Sequence, residues 1–185
     1  MKPNKITGVL LIIILISLGL YFSYSKKSTE NPLPEITSFD ARNSTFTIES
    51  KKINLVNGIY SDNETLANSN TKIVTRYFGN EARGDLNFDG KDDISFLVSQ
   101  DNGGSGLFYY VVVAYTTPTG YKTTNAFFIG DRIAPQTSQI NTSAHELYVN
   151  YAERKSGEPF TARPSQGATK ILKVTSDGIL KGLMQ

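Results

Sequence analysis

Hydrophobic and polar positions divide the chain into three successive regimes. Residues 6–24, from Ile6 to Tyr24, carry no charge. Residues 25–37, from Ser25 to Thr37, are polar and include Pro32 and Pro34. From residue 44 onward apolar and polar positions mostly alternate, with Thr, Val, Ile, Tyr and Phe abundant and turn residues at short intervals. Alternation with period two sends successive side chains to opposite faces of a pleated strand, so the third regime predicts antiparallel β-structure. The predicted strands cover 45–49, 52–56, 71–78, 94–99, 107–116, 121–129, 136–141, 144–151, 169–175 and 179–183. Asn57-Gly58 and Asp177-Gly178 are turn signals, the second predicting a tight hairpin between the last two strands. The run Leu107 to Tyr115 is apolar on both faces and predicts a central strand covered on both sides. A helix would supply the second cover, and Asp62 to Asn70 is the stretch of the third regime with helical character. The expected fold class is therefore mainly β, an antiparallel sheet, or α+β with one short helix. No repeat with a period of 20–50 residues is visible, which argues against a propeller or solenoid.

The first regime predicts an N-terminal transmembrane helix. Its nineteen residues make a helix of roughly 28 Å, close to the hydrocarbon thickness, whereas a signal-peptide apolar core runs about 7–15 residues. Nothing like A-x-A follows the run, and Ser23-Tyr24-Ser25 is the nearest small-residue pattern, so length argues for a retained anchor over a cleaved signal. Lys2 and Lys5 face Lys26 and Lys27 across the segment, which nearly ties the positive-inside count; a five-residue tail is the easier side to keep inside. The expected organisation is a cytoplasmic tail at 1–5, an anchor at 6–24, a linker at 25–37 and an extracytoplasmic β-rich domain at 38–185.

Charge sharpens this picture. Apart from Lys2 and Lys5, seventeen basic residues balance seventeen acidic ones, so the rest of the protein is neutral and nucleic acid is not an expected partner. Cysteine is absent, which removes disulfides, thiolate metal sites, thiol nucleophiles and lipid attachment through a cysteine. One histidine excludes any site that needs two imidazoles.

One segment carries a recognisable chemistry. Asp85-Leu86-Asn87-Phe88-Asp89-Gly90-Lys91-Asp92-Asp93 places oxygen-bearing side chains at loop positions one, three, five and nine, with Gly at six. Alternate residues then converge oxygens on one point, the glycine takes the sharp turn, and position seven offers its carbonyl. The expected Ca²⁺ ligands are Asp85, Asn87, Asp89, the Lys91 carbonyl and Asp93, with Asp92 outside the pattern. Magnesium prefers few protein ligands and keeps its waters, so it suits this set less well. A full EF-hand has a bidentate Glu at position twelve, which here is Phe96, in an apolar strand.

With that core and a direct run into Ile94-Ser95-Phe96-Leu97-Val98, the segment resembles the calcium loops of integrin-type FG-GAP repeats. It resembles dockerin loops less closely, because those continue into a helix. A wider likeness takes in Gly84-Asp85-Leu86-Asn87, Gly103-Gly104-Ser105-Gly106, Phe108-Tyr109-Tyr110, Gly130-Asp131-Arg132 and Glu158-Pro159-Phe160. Over roughly residues 74–175 the chain resembles uncharacterised bacterial exported or lipid-anchored proteins. That resemblance implies a bacterial envelope location and the metal loop. The anchoring cysteine of the lipid-anchored members is missing, and the transmembrane segment stands in its place.

Other features are weaker. Asp101-Asn102-Gly103-Gly104-Ser105-Gly106 lacks the Gly-Lys-Ser/Thr ending of a phosphate loop and predicts a hairpin turn. His145 shares strand parity with Leu147, Val149 and Tyr151 and reads as a structural histidine. Asp131-Arg132 and Glu153-Arg154-Lys155 read as solvated ion pairs. The expected function is that of a non-enzymatic, calcium-binding module of the cell membrane with a binding or structural role. Its partners are the membrane, through residues 6–24, and an envelope ligand or protein. The alternative is an envelope hydrolase acting on glycan or peptide, using carboxylates near the metal loop or a triad built on His145.

Overall fold

A computed structural model of the protein describes residues 38–62 and 72–183, all within the compact unit Ile36–Gln185. The anchor expected at 6–24, the linker at 25–37 and nearly all of the expected helix at Asp62 to Asn70 lie outside the described residues. Within them the architecture is almost wholly antiparallel β, with one 3-10 turn, Ala41–Asn43, as its helical element. The strands are β1 (Thr45–Ile48), β2 (Lys51–Asn54), β3 (Ile59–Ser61), β4 (Val74–Gly84), β5 (Asp93–Asp101), β6 (Leu107–Thr117), β7 (Gly120–Thr123), β8 (Phe127–Asp131), β9 (Ala134–Asn141), β10 (Glu146–Glu153), β11 (Gln166–Val174) and β12 (Leu180–Gly182). They form three sheets: the hairpin β1-β2, a six-stranded sheet in the order β3-β4-β5-β6-β7 with β8 also paired to β6, and a four-stranded sheet in the order β12-β11-β10-β9.

β6 lies between two cores, as its doubly apolar sequence predicts. Tyr109, Val111 and Val113 join Leu97, Ile129, Leu147, Val149, Tyr151, Leu172 and Leu180 in the core against the four-stranded sheet. Tyr110 and Val112, one residue out of phase, join Phe96, Val98, Phe46, Ile48, Ile53 and Leu55 in the second core. Among the described residues the second cover is the β1-β2 hairpin together with Ala41 of the 3-10 turn. Alternating apolar residues on a hairpin bury one face as effectively as a helical stripe, and the hairpin closes tightly because Glu49 (φ 48°) and Ser50 (φ 75°) both take left-handed backbone.

Three further departures have local causes. β4 was expected to stop near residue 78 but runs on to Gly84, because Gly79 (φ 109°) and Asn80 (φ 51°) act as a bulge and not as a turn. The strand expected at 121–129 is two strands on the same edge of β6, broken at Thr124–Ala126, where Asn125 turns away to accept from the Leu180 amide at 2.8 Å. The β11-β12 connection spans Thr175–Ile179, longer than a tight hairpin, and Thr175 organises it by bonding to Asp177 and to the Ile179 backbone. Asp101–Gly106 does form the hairpin connection between β5 and β6.

Candidate functional site

The expected metal loop joins the bulged end of β4 to the start of β5, a strand–loop–strand arrangement. Gly84 is packed so closely that a Cβ there would lie 2.7 Å from Ile140 and 2.8 Å from Thr142, which clamps the loop entrance against the β9-β10 turn. Beyond it three Asx turns follow in series. Asp85 Oδ1 accepts from the amides of Asn87 (3.2 Å) and Phe88 (2.8 Å), and its Oδ2 from that of Gly90 (3.1 Å). Asn87 Oδ1 accepts from the Asp89 amide at 3.0 Å, and Asp89 Oδ1 from the Lys91 amide at 2.9 Å. Short polar side chains that bond to backbone two residues on are the reason Asp and Asn recur at alternate positions. Phe88 (φ 67°) and Gly90 (φ 76°) supply the left-handed residues that curl the loop.

Asp93 closes the loop from inside the fold. It is fully buried, its Oδ2 accepting from the Leu86 amide at 2.9 Å and its Oδ1 from the Thr116 amide at 3.1 Å. Burial raises its pKa above the ordinary carboxylate value, the two amide bonds work in the opposite direction, and the negative charges of Asp89 and Asp85 raise it further. Asp92 is exposed and joins the fold through its backbone carbonyl, which accepts from Thr116 Oγ1.

Asp85, Asn87, Asp89 and Lys91 thus sit on one turn with Asp93 at its exit. Among the described residues, no group of three or more His, Cys, Asp or Glu side chains is gathered around a point that would hold a metal ion. The carboxylates are turned toward loop amides instead. The donor set fits a hard divalent cation all the same: every candidate ligand is an oxygen, and apart from Asp85 Oδ1, which accepts two amides, each candidate carboxylate oxygen accepts one N–H and retains a further lone pair.

Sequence reasoning missed what buttresses the loop. His145 lies in the turn ahead of β10, with φ 51°, and not within the strand where parity placed it. Its Nδ1 is 2.9 Å from the Asp85 carbonyl, and since a carbonyl only accepts, Nδ1 carries the proton. The imidazole stacks on the Phe88 ring with centroids 3.6 Å apart. The imidazole thus packs on the loop and not on the apolar face where strand parity placed it. No local signal connects positions 60 residues apart.

Asn87 and Phe88 also line a cleft of about 540 Å³ with Tyr115, Lys122 and the Thr175–Gly178 turn. None of His145, Asp131 and Arg132 lines it. Asp131 and Arg132 form a two-pronged ion pair, Nη2 to Oδ2 at 2.6 Å, with both side chains only about a quarter exposed, so it is less solvated than expected. Arg154 donates to the carbonyls of Arg132 and Asp131, and both guanidinium groups lie over the Phe160 ring, at 4.0 and 5.3 Å. That cluster is internally satisfied and ties the β10-β11 connection to the end of β8. Comparison with protein-family models, curated proteins and solved structures yields no match.

Proposed function

We propose that the chain is a membrane-anchored, extracytoplasmic β-domain of the bacterial envelope that binds one Ca²⁺ in the Asp85–Asp93 loop and has a binding or structural role there. One observation carries the metal reading: the loop that matches the calcium pattern folds as a series of Asx turns pivoting at Gly90, with a fully buried carboxylate, Asp93, at its exit. Asp85, Asn87, Asp89, the Lys91 carbonyl and Asp93 would hold the ion, which would neutralise three carboxylates crowded within nine residues. The ion's role is structural. His145, the chain's one imidazole, is engaged by the Asp85 carbonyl and Phe88, so it positions the loop.

Extracellular modules bind calcium with dissociation constants of about 10⁻⁴–10⁻³ M, so about millimolar calcium adds roughly 0.4–1.4 kcal/mol of stability. The full chain in a maltoside detergent should bind one equivalent of Ca²⁺ by calorimetry and melt a few degrees lower in chelator. Asp89→Ala should abolish the calcium-dependent rise, whereas Asp92→Ala should leave most of it. An absence of binding, or equal losses from both substitutions, overturns the ligand assignment.

The location rests on the uncharged run Ile6–Tyr24. External protease applied to spheroplasts should remove the β-domain. Protection until the membrane is permeabilised would reverse the orientation, and recovery of the domain from the medium would replace the anchor with a cleaved signal.

A further inference from the structure

A smaller concavity, of about 230 Å³, lies between the β1-β2 turn, the end of β5, β6 and β8, lined by Glu49, Gln100, Asn102, Phe108, Tyr110 and Phe128. Strand register assembles its aromatic part. Phe108 and Tyr110 are two apart on β6 and share a face, and Phe128 on β8 is the direct cross-strand partner of Tyr110. Phe128 is inclined to both of the other rings and not stacked on either: it stands 5.5 Å and 60° from Tyr110, and 6.3 Å and 49° from Phe108. Tyr110 is 6% exposed and forms the floor, while Phe128 is 48% exposed and forms an open wall. Phe108 is seated by Gly106, where a Cβ would fall 2.6 Å from the ring.

The polar side of the box has one sign. Glu49 stands in the left-handed turn of the β1-β2 hairpin, Gln100 and Asn102 are neutral, and no basic residue is among the lining side chains. Burial raises the Tyr110 pKa, and the Glu49 charge raises it further, which places that carboxylate within electrostatic reach of the floor. Ring faces carry negative quadrupole density, so three rings beside a carboxylate attract a cation. On the aromatic side the rings offer π density in place of hydrogen-bond acceptors, which a methylated ammonium tolerates better than a strongly hydrated one, while Glu49 supplies the opposite charge. The volume is below the range of about 300–1,000 Å³ typical of drug-sized ligands, and it suits a head group.

We propose that this aromatic box binds a trimethylammonium group, with Phe108, Tyr110 and Phe128 as its walls and floor and Glu49 as its counter-charge. The site is separate from the calcium loop, and its test does not depend on that reading. Full-length protein in a maltoside detergent is titrated with choline and with 3,3-dimethylbutan-1-ol, which has the same shape with carbon in place of nitrogen, and binding is followed by saturation-transfer NMR. Choline should bind about tenfold or more tightly than the neutral isostere, the difference expected of a desolvated cation–π site. Phe128→Ala and Glu49→Gln, both at solvent-accessible positions, should each weaken choline binding several-fold while keeping the wild-type circular dichroism. Phe160→Ala, an exposed ring outside the box, should not. Phosphocholine competing as well as choline assigns the group to a lipid or polymer head group; choline alone assigns it to a free solute. Equal binding of the neutral isostere, no binding of choline, or wild-type affinity in Phe128→Ala overturns the proposal.

Discussion

Phe96→Glu should unfold the domain and fail to tighten calcium binding, although it restores the acidic residue that an EF-hand has at position twelve. Phe96 is fully buried in the core beneath the β1-β2 hairpin, with ring centroids 5.9 Å from Phe39, 6.0 Å from Phe46 and 6.2 Å from Tyr77. The candidate loop feeds directly into β5, so position twelve falls on a strand facing the core and not on a helix returning to the loop. Truncation to alanine alone should cost about 3–5 kcal/mol. A carboxylate in the same place adds several kcal/mol more for an uncompensated buried charge, against a total stability of about 5–15 kcal/mol for an ordinary domain. Circular dichroism of Phe96→Glu should show loss of the β signal at ambient temperature, and Phe96→Ala should remain folded with a steeply lowered urea midpoint. A folded Phe96→Glu protein with raised calcium affinity would show that β5 can turn this side chain toward the loop.

Asp93→Ala should be destabilising even without calcium, and much more so than Asp89→Ala. Its two oxygens satisfy the Leu86 and Thr116 amides inside the fold, and their removal strands two buried donors. Each unsatisfied group costs about 1–3 kcal/mol, so the loss in chelator should be about 2–6 kcal/mol. Asp89 is exposed and its hydrogen bonds stay within the loop, so Asp89→Ala in chelator should change stability by no more than about 0.5–1 kcal/mol. Urea titrations of both variants with and without calcium separate the two roles. Equal losses in chelator would mean that Asp93 has no structural duty beyond that of its neighbours.

The same distinction between local and remote causes runs through the whole chain. Period-two alternation marked eight of the ten expected strands within about three residues of where they lie, and the doubly apolar run at Leu107 to Tyr115 marked β6 as central, because strand burial is written in nearest-neighbour spacing. Asn57-Gly58 marked a turn for the same reason, with φ of 52° and 83° at its two residues. Asp and Asn at alternate positions marked Asp85–Asp93 as a loop of oxygen-bearing side chains, and the Asx turns that these side chains form came with the structure.

Tertiary structure decided the rest. Glu49-Ser50 turns without a glycine, and Gly79-Asn80 carries turn residues yet makes a bulge, because in each case pairing with neighbouring strands outweighs the local preference. The hairpin that covers β6, the imidazole that holds Asp85, and the three rings beside Glu49 bring together segments that no short-range pattern links. Their meeting depends on strand register and on which sheet faces which core, quantities set by the simultaneous burial of all the apolar faces. By itself the sequence determined the strands, the alternating oxygen-bearing side chains of the Asp85–Asp93 loop and the neutrality of the domain; which side chains stand beside those oxygens was decided only when the sheets packed.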